Sequence, residues 1–387
     1  MIAPESLAPA DAGPVMPRAH VSARDPEALA KLARDLGPEP FAAVVLFISP
    51  EADRAALADG LARAFPGITV IGCTTAGEIS PEGYAEGEIV AVGLPAGAFA
   101  VECLGIDLSA LDGQELIGRL IRARAGLARK HPAWEDEFAF LMVDGLSIRE
   151  DELTAALGPG LGPVPLFGGS AGDGTRFGAT FVLQDGQFRQ GWAVLMLVRT
   201  ACKVKVFSLN HLTPTNRRMV VTGADPARRV VHQINAEPAA QEYARLLGKD
   251  PGQLTTFTFA AHPVVVRIGG SHHVRAIQRL DPNGDLVFFS AIDEGLVLTL
   301  AEPQDMAVHL DRALNELAAG GTRPAILACD CILRRIEAQE NQRFGAVSAL
   351  LKRHGVVGFS TYGEQLNSMH VNQTMTGVAI YPPEAGT

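Results

Sequence analysis

The residues best placed to do chemistry lie in three glycine-rich corners. These are Gly72-Cys73-Thr74-Thr75-Ala76-Gly77-Glu78, Gly168-Gly169-Ser170-Ala171-Gly172-Asp173 and Gly358-Phe359-Ser360-Thr361-Tyr362-Gly363-Glu364. Each joins a glycine, a small hydroxyl residue, a second glycine and a carboxylate. Glycine lets a chain leave a strand at positive φ and lets a backbone or a ligand approach closely. Ser or Thr beside it can bond neighbouring backbone groups and shape the turn. Glu78, Asp173 and Glu364 are therefore predicted to occupy equivalent positions in three units. They either terminate turns or, with Gly72, Thr74, Gly169, Ser170 and Gly363, line a cleft where the units meet. Strand-end loops are where α/β folds usually hold ligands.

Other motifs are weaker. Gly168-Gly169-Ser170-Ala171-Gly172 matches the G-x-S-x-G elbow of serine hydrolases. The elbow needs a helix directly after the serine, and Asp173-Gly174-Thr175-Arg176-Phe177-Gly178 reads as a turn followed by a strand. The glycine-rich loops lack dinucleotide spacing. Cys329-Asp330-Cys331 is too closely spaced for a usual zinc pair. Adjacent His272 and His273, in a predicted loop, would point to opposite faces of a strand, and His232 is predicted on a helix. His370, between Met369 and Val371 and just before Asn372-Gln373-Thr374, is either an ordinary turn histidine or an imidazole offered to a haem iron in an apolar pocket.

The elements that must hold these residues repeat three times. Apolar runs at 42–48, 138–143 and 325–328 read as buried strands. Helical patterns follow at 53–65, 150–157 and 344–354. A second strand then leads into each corner, at 68–71, 164–167 and 356–357, and a closing strand follows at 88–94, 188–198 and 374–381. This is an internal repeat of β-α-β-β units. Helices are also predicted from Asp25-Pro26 to Gly37, over 114–130 and over 226–247. Strands are predicted at 264–268, 286–290 and 296–300. The fold class is α/β, with sheets flanked by helices in two lobes. The divisions are a loose tail over 1–24, one domain over 25–210 and another over 211–387, with a crossover near 199–225.

The chain has 387 residues, 47% of them hydrophobic and 20% charged, an ordinary globular balance that supports a large core without disulfides. Net charge is −10 with no basic stripe, which argues against nucleic acid as a partner. Five sparse cysteines suit a reducing compartment. The first residues lack a signal-peptide pattern, and no apolar run reaches the ~18 residues of a membrane span. A cytoplasmic location without membrane insertion is expected.

Both halves resemble the FIST family of sensory domains. Gly72 to Glu78 and Phe167-Gly168-Gly169-Ser170-Ala171-Gly172-Asp173-Gly174 carry the likeness to its N-terminal domain. Cys329-Asp330-Cys331-Ile332-Leu333-Arg334-Arg335, Gly358 to Gln365 and Asn372-Gln373-Thr374 carry that to its C-terminal domain. The resemblance implies a non-enzymatic module that binds a small ligand such as an amino acid. The stretch Gly363 to Thr374 is similar to the stand-alone, nitric-oxide-sensing branch. That branch implies haem b held by His370 beside Met369, and a histidine kinase or cyclic-di-GMP enzyme as partner. The alternatives are a haem-free metabolite sensor, with Glu78, Asp173, Glu364 and Asn372 on its ligand, and a hydrolase using Ser170. A homodimer is a further expectation.

Overall fold

The computed structural model describes residues 15–383, apart from 269 and 320. Three units of one plan follow each other. The first is strand Arg18–Ser22, helix Ala28–Leu36, strand Phe41–Ile48, helix Arg54–Ala64, strand Thr69–Thr74, the hairpin Glu78–Ser80 with Gly83–Ala85, and strand Glu88–Pro95. The second is Phe99–Asp107, helix Gly113–Lys130, Asp136–Val143, helix Glu150–Leu161, Leu166–Ser170, the hairpin Val182–Gln184 with Gln187–Arg189, and Trp192–Thr200. The third opens with Lys203–Leu209 and resumes after an insertion at helix Met306–Leu317. It then runs through Ala325–Cys331, helices Ile332–Glu340 and Phe344–His354, Val356–Thr361, the hairpin Glu364–Leu366 with Met369–Val371, and Met375–Tyr381.

In each unit the two central strands are parallel: Ala43 faces Thr69, Ala139 faces Leu166 and Ile326 faces Val356. The hairpin that follows does not stay in its own sheet. The first unit's hairpin pairs with the third unit, Glu78 opposite Phe359. The second unit's pairs with the first, Val182 opposite Cys73. The third unit's pairs with the second, Glu364 opposite Gly169. The exchange is cyclic, so every sheet is completed by a neighbour.

The three sheets turn their inner faces to one core. Phe47 stacks on Phe359 and Phe140 on Phe167, each with ring centroids 4.9 Å apart. Outer faces are covered by helices through Leu57 and Leu61, Leu120 and Leu157, and Val347 and Leu351. Burial on both faces is why the central strands read as unbroken apolar runs. Helix starts are set locally: Asp53 accepts from the amides of Ala55 and Ala56, and Asp112 from those of Gln114 and Glu115.

Between Lys203–Leu209 and Met306–Leu317 the chain leaves to build a second lobe with its own core around Val221, Tyr243, Phe259 and Leu298. It contains strands Leu212–Asp225, Val230–Ile234, Val264–Ile268, Ser271–Arg275 and Val297–Pro303, and helices Ala239–Leu247 and Thr256–Ala261.

Several sequence expectations are corrected. Residues 1–14 lie outside the described residues, but the rest of the expected tail contains strand Arg18–Ser22, which pairs along Glu88–Val92. The helix predicted over 226–247 is a strand followed by a shorter helix, because Asn235-Ala236 turns the chain at positive φ. His232 is therefore on a strand, and His272 and His273 lie in strand Ser271–Arg275. A cut near residue 210 does not separate two bodies, since Lys203–Leu209 is an edge strand of the third unit, paired along Met375–Tyr381.

The corner glycines are required by close approach. A Cβ on Gly72, Gly168 or Gly358 would overlap the carbonyl oxygen of Leu46, Leu141 or Ala328 on the adjacent parallel strand. Gly358 also has φ +152. Gly168→Ala is expected to lower stability by about 1–3 kcal/mol, read as a lower denaturant midpoint with an unchanged slope.

Candidate functional site

Each corner grips the hydroxyl residue of the neighbouring unit with one backbone donor and one acceptor. The Ala76 amide donates to the Ser360 carbonyl (2.9 Å), and the Ser360 amide donates to the Gly77 carbonyl (2.7 Å). Gly172 and Phe181 hold Thr74 in the same way, at 2.9 Å each. Tyr362 and Gly363 hold Ser170, at 3.4 and 2.8 Å. Thr74, Ser170 and Ser360 are thus equivalent.

The carboxylates are equivalent in two units only. Glu78 accepts from the Glu88 amide and Glu364 from the Thr374 amide, each 3.1 Å away and ten residues on. Both close the base of an exchanged hairpin. In the second unit that position is Val182. Asp173 belongs to a longer loop, so the expected three-way equivalence does not hold. It staples this loop by accepting from the amides of Phe177, Gly178 and Ala179 at 2.8–2.9 Å and from the Tyr362 hydroxyl. Burial opposes its ionisation, but the Tyr362 hydroxyl and the three amides together hold its carboxyl below the usual range. Burial instead pushes Glu78 up to about 7 and Glu364 well above the ordinary value, despite their hydrogen bonds.

The candidate residues fall around two cavities. One, of about 280 Å³, lies where the three units meet and is lined by Ser49, Glu78, Asp173, Arg176 and Arg335. Arg335 is tied to the carbonyls of Glu78 and Ala85 and to Glu86. None of the buried polar atoms left without a partner among the described residues lines it.

The second, of about 180 Å³, lies where the inserted lobe rests on the second and third units. His370, Met369, Asp151, Arg275 and His273 line it. Two of its lining side chains carry a buried polar atom without a partner, His370 Nε2 and Arg275 Nε, and so do Asn372 (Nδ2) and Gln365 (Oε1), packed around the His370 ring. Gln365 and His370 face each other across the exchanged hairpin. The Gln365 amide nitrogen is 3.3 Å from His370 Nδ1 and donates to Ser170 Oγ at 3.0 Å. Gly363 leaves the space that His370 and Asn372 occupy, for a Cβ there would overlap the imidazole. Asn372 Oδ1 accepts from Ser290 of the lobe at 2.6 Å. Burial drops His370 to about 4, so the ring is neutral at physiological pH. A buried polar atom without a partner costs about 1–3 kcal/mol, and several together point to a missing polar guest.

The structure therefore brings together Gly169, Ser170, Gly363, Glu364, Met369, His370 and Asn372. It leaves Gly72, Thr74, Glu78 and Asp173 elsewhere. Gln365, Asp151 and Arg275 join the site without having been singled out from sequence. Gln365 could have been found by alternation with Glu364 in the hairpin; the lobe residues carry no local signal. His370 Nε2 is the atom a haem iron would take, but the space is not a haem pocket. At 180 Å³ it falls below the roughly 300–1,000 Å³ of sites for larger organic ligands, and its wall carries Asp151 and Arg275. Haem does not fit these residues. Ser170 is fully buried at the end of its strand, and a loop rather than a helix follows it.

Cys329-Asp330-Cys331 ends a buried strand, and its aspartate is paired within the core: Asp330 accepts from Arg334 at 2.7 Å and from the Tyr84 hydroxyl. No group of three or more His, Cys, Asp or Glu suited to a metal occurs among the described residues.

The raised Glu78 has a measurable consequence. Its protonated form is favoured on folding, so that contribution is whole below 4.5 and is lost as pH rises through about 7. Glu78→Gln should remove this loss. Its stability relative to wild type should rise across that window by up to about 1.4 kcal/mol per pH unit in denaturant titrations.

No curated protein matches the chain. Among the described residues, no helix is long and apolar enough to cross a membrane. The model of the FIST N domain matches residues 42–237, and that of the FIST C domain matches 239–367. FIST domains are sensory modules that bind small ligands in signal transduction. With the two models in tandem over most of its length, this chain belongs to the FIST family.

Proposed function

We propose that the chain is a haem-free sensor whose ligand, an amino acid or related small polar metabolite, binds between the inserted lobe and the three-unit core. The observation that carries this reading is the pair of unpartnered buried atoms on His370 and Arg275, which line a cavity of about 180 Å³, with further unpartnered atoms on Asn372 and Gln365 packed around the His370 ring. With Nδ1 facing the Gln365 amide, the His370 ring presents Nε2–H as a donor. Asn372 Nδ2 is a second donor and Gln365 Oε1 an acceptor. Arg275 and Asp151 supply opposite charges on the wall, which suits a zwitterion with its carboxylate toward the arginine.

A thermal-shift screen of the α-amino acids tests this. A ligand at about 100 times its dissociation constant should add about 2.7 kcal/mol of stability. His370→Ala and Asn372→Ala should each lose the shift; a hit kept in both variants refutes the site. Because His370 is already neutral well above pH 4, affinity should stay flat through the ordinary histidine range near 6.5. A drop in calorimetric affinity centred there would contradict the neutral donor.

A further inference from the structure

We infer that the inserted lobe is a hinged jaw that closes over the His370 cavity. The hinge is argued from the single attachment of the lobe; only the identification of what closes it rests on the ligand reading above.

The lobe leaves and rejoins the core at one place. Leu212 pairs with Pro303, and the Gln304 amide donates to the His211 carbonyl at 2.7 Å. Two crossings side by side form a short ribbon about which the lobe can turn. The core anchors that ribbon. His211 Nε2 lies 3.0 Å from Glu337, and its Nδ1 accepts from Arg334 at 2.8 Å. Arg334 in turn holds Asp330.

Away from the ribbon, the jaw meets the core through a shared buried apolar layer, in which Ala260, Val274 and Phe289 of the lobe pack with Ile332, Leu333 and Tyr362 of the core, and through a few polar latches. Phe289 packs near Phe177 and Tyr362. Arg229 of the lobe donates to Glu150 at 2.8 Å and Asp151 at 2.9 Å. Gln373 of the core donates to the Ala260 carbonyl at 2.8 Å. Arg229 and Gln373, one on each side, both adopt positive φ, 56 and 49. Non-glycine residues held this way are strained, and such strain gathers at clamps and switches.

The closed jaw seals polar atoms away from water and gives them no partner. Opening would hydrate them, and a ligand that pairs them would favour closure. Ligand occupancy thus becomes lobe position, a signal that a partner can read.

Two nitroxide labels test this in the full chain, at Arg129→Cys on the core and Asn283→Cys on the lobe. Cys103→Ser removes the partly exposed native thiol; the other four are buried. Pulsed dipolar spectroscopy should show a main distance and a minor second one. Arg229→Gln, which releases the Glu150 and Asp151 latch, should raise the second population several-fold without ligand. Asp151→Asn should do the same if Arg229→Gln fails to fold. A single unchanged distance in the parent and in every folded latch variant overturns the jaw. A millimolar mixture of the α-amino acids should deplete the second population. If the latch variants open but the mixture does nothing, the hinge stands and the amino-acid reading falls.

Discussion

The fold depends on the cyclic exchange of three hairpins. Each unit makes a two-stranded parallel centre and then hands its hairpin to the sheet of another unit, so the units complete one another. The grips between backbone amides and carbonyls at Ser360, Thr74 and Ser170 fix this exchange at three points. A buried backbone group must find a partner, and here the partner is always on another unit. The common core around Phe47, Phe140, Phe167 and Phe359 follows from that geometry, because interlocked sheets can only turn their faces inward together.

The exchange also explains how buried carboxylates are tolerated. Glu78 and Glu364 sit at the hairpin bases, where an amide ten residues on is always within reach. Burial raises both, so they are held partly or wholly protonated rather than as bare charges. Asp173 follows a different logic, with enough amide donors around it to stay ionised. Three acids that look alike in sequence therefore have two structural roles.

Three-way symmetry is broken by the insertion. The corner between the third and second units is roofed by a lobe, and several of its buried polar atoms are left without partners. At the corner between the first and third units, Tyr84 takes the hairpin position that His370 holds, and its hydroxyl bonds Asp330. The same hairpin position is thus packed and satisfied in one corner and buried with an unpartnered ring nitrogen in another.

The triple repeat was legible in the sequence, because apolar runs, glycines and small hydroxyl residues obey local rules of strand, turn and close approach. The family was legible from the same corners. Helix Phe344–His354 and strand Val264–Ile268 fall where periodicity put them. The candidate site was only half legible. His370, Asn372, Gly363 and Ser170 could be named from turn chemistry, but Val182 in place of a third acid could not, since a loop insertion shifts the register without changing composition. Which hairpin joins which sheet, and the meeting of Arg229 with Glu150 or Ser290 with Asn372, were decided by tertiary structure alone. Those contacts join residues 79 and 82 positions apart, and sequence pattern reports neighbours along the chain, not partners brought together by an interlocked core and a folded-back lobe.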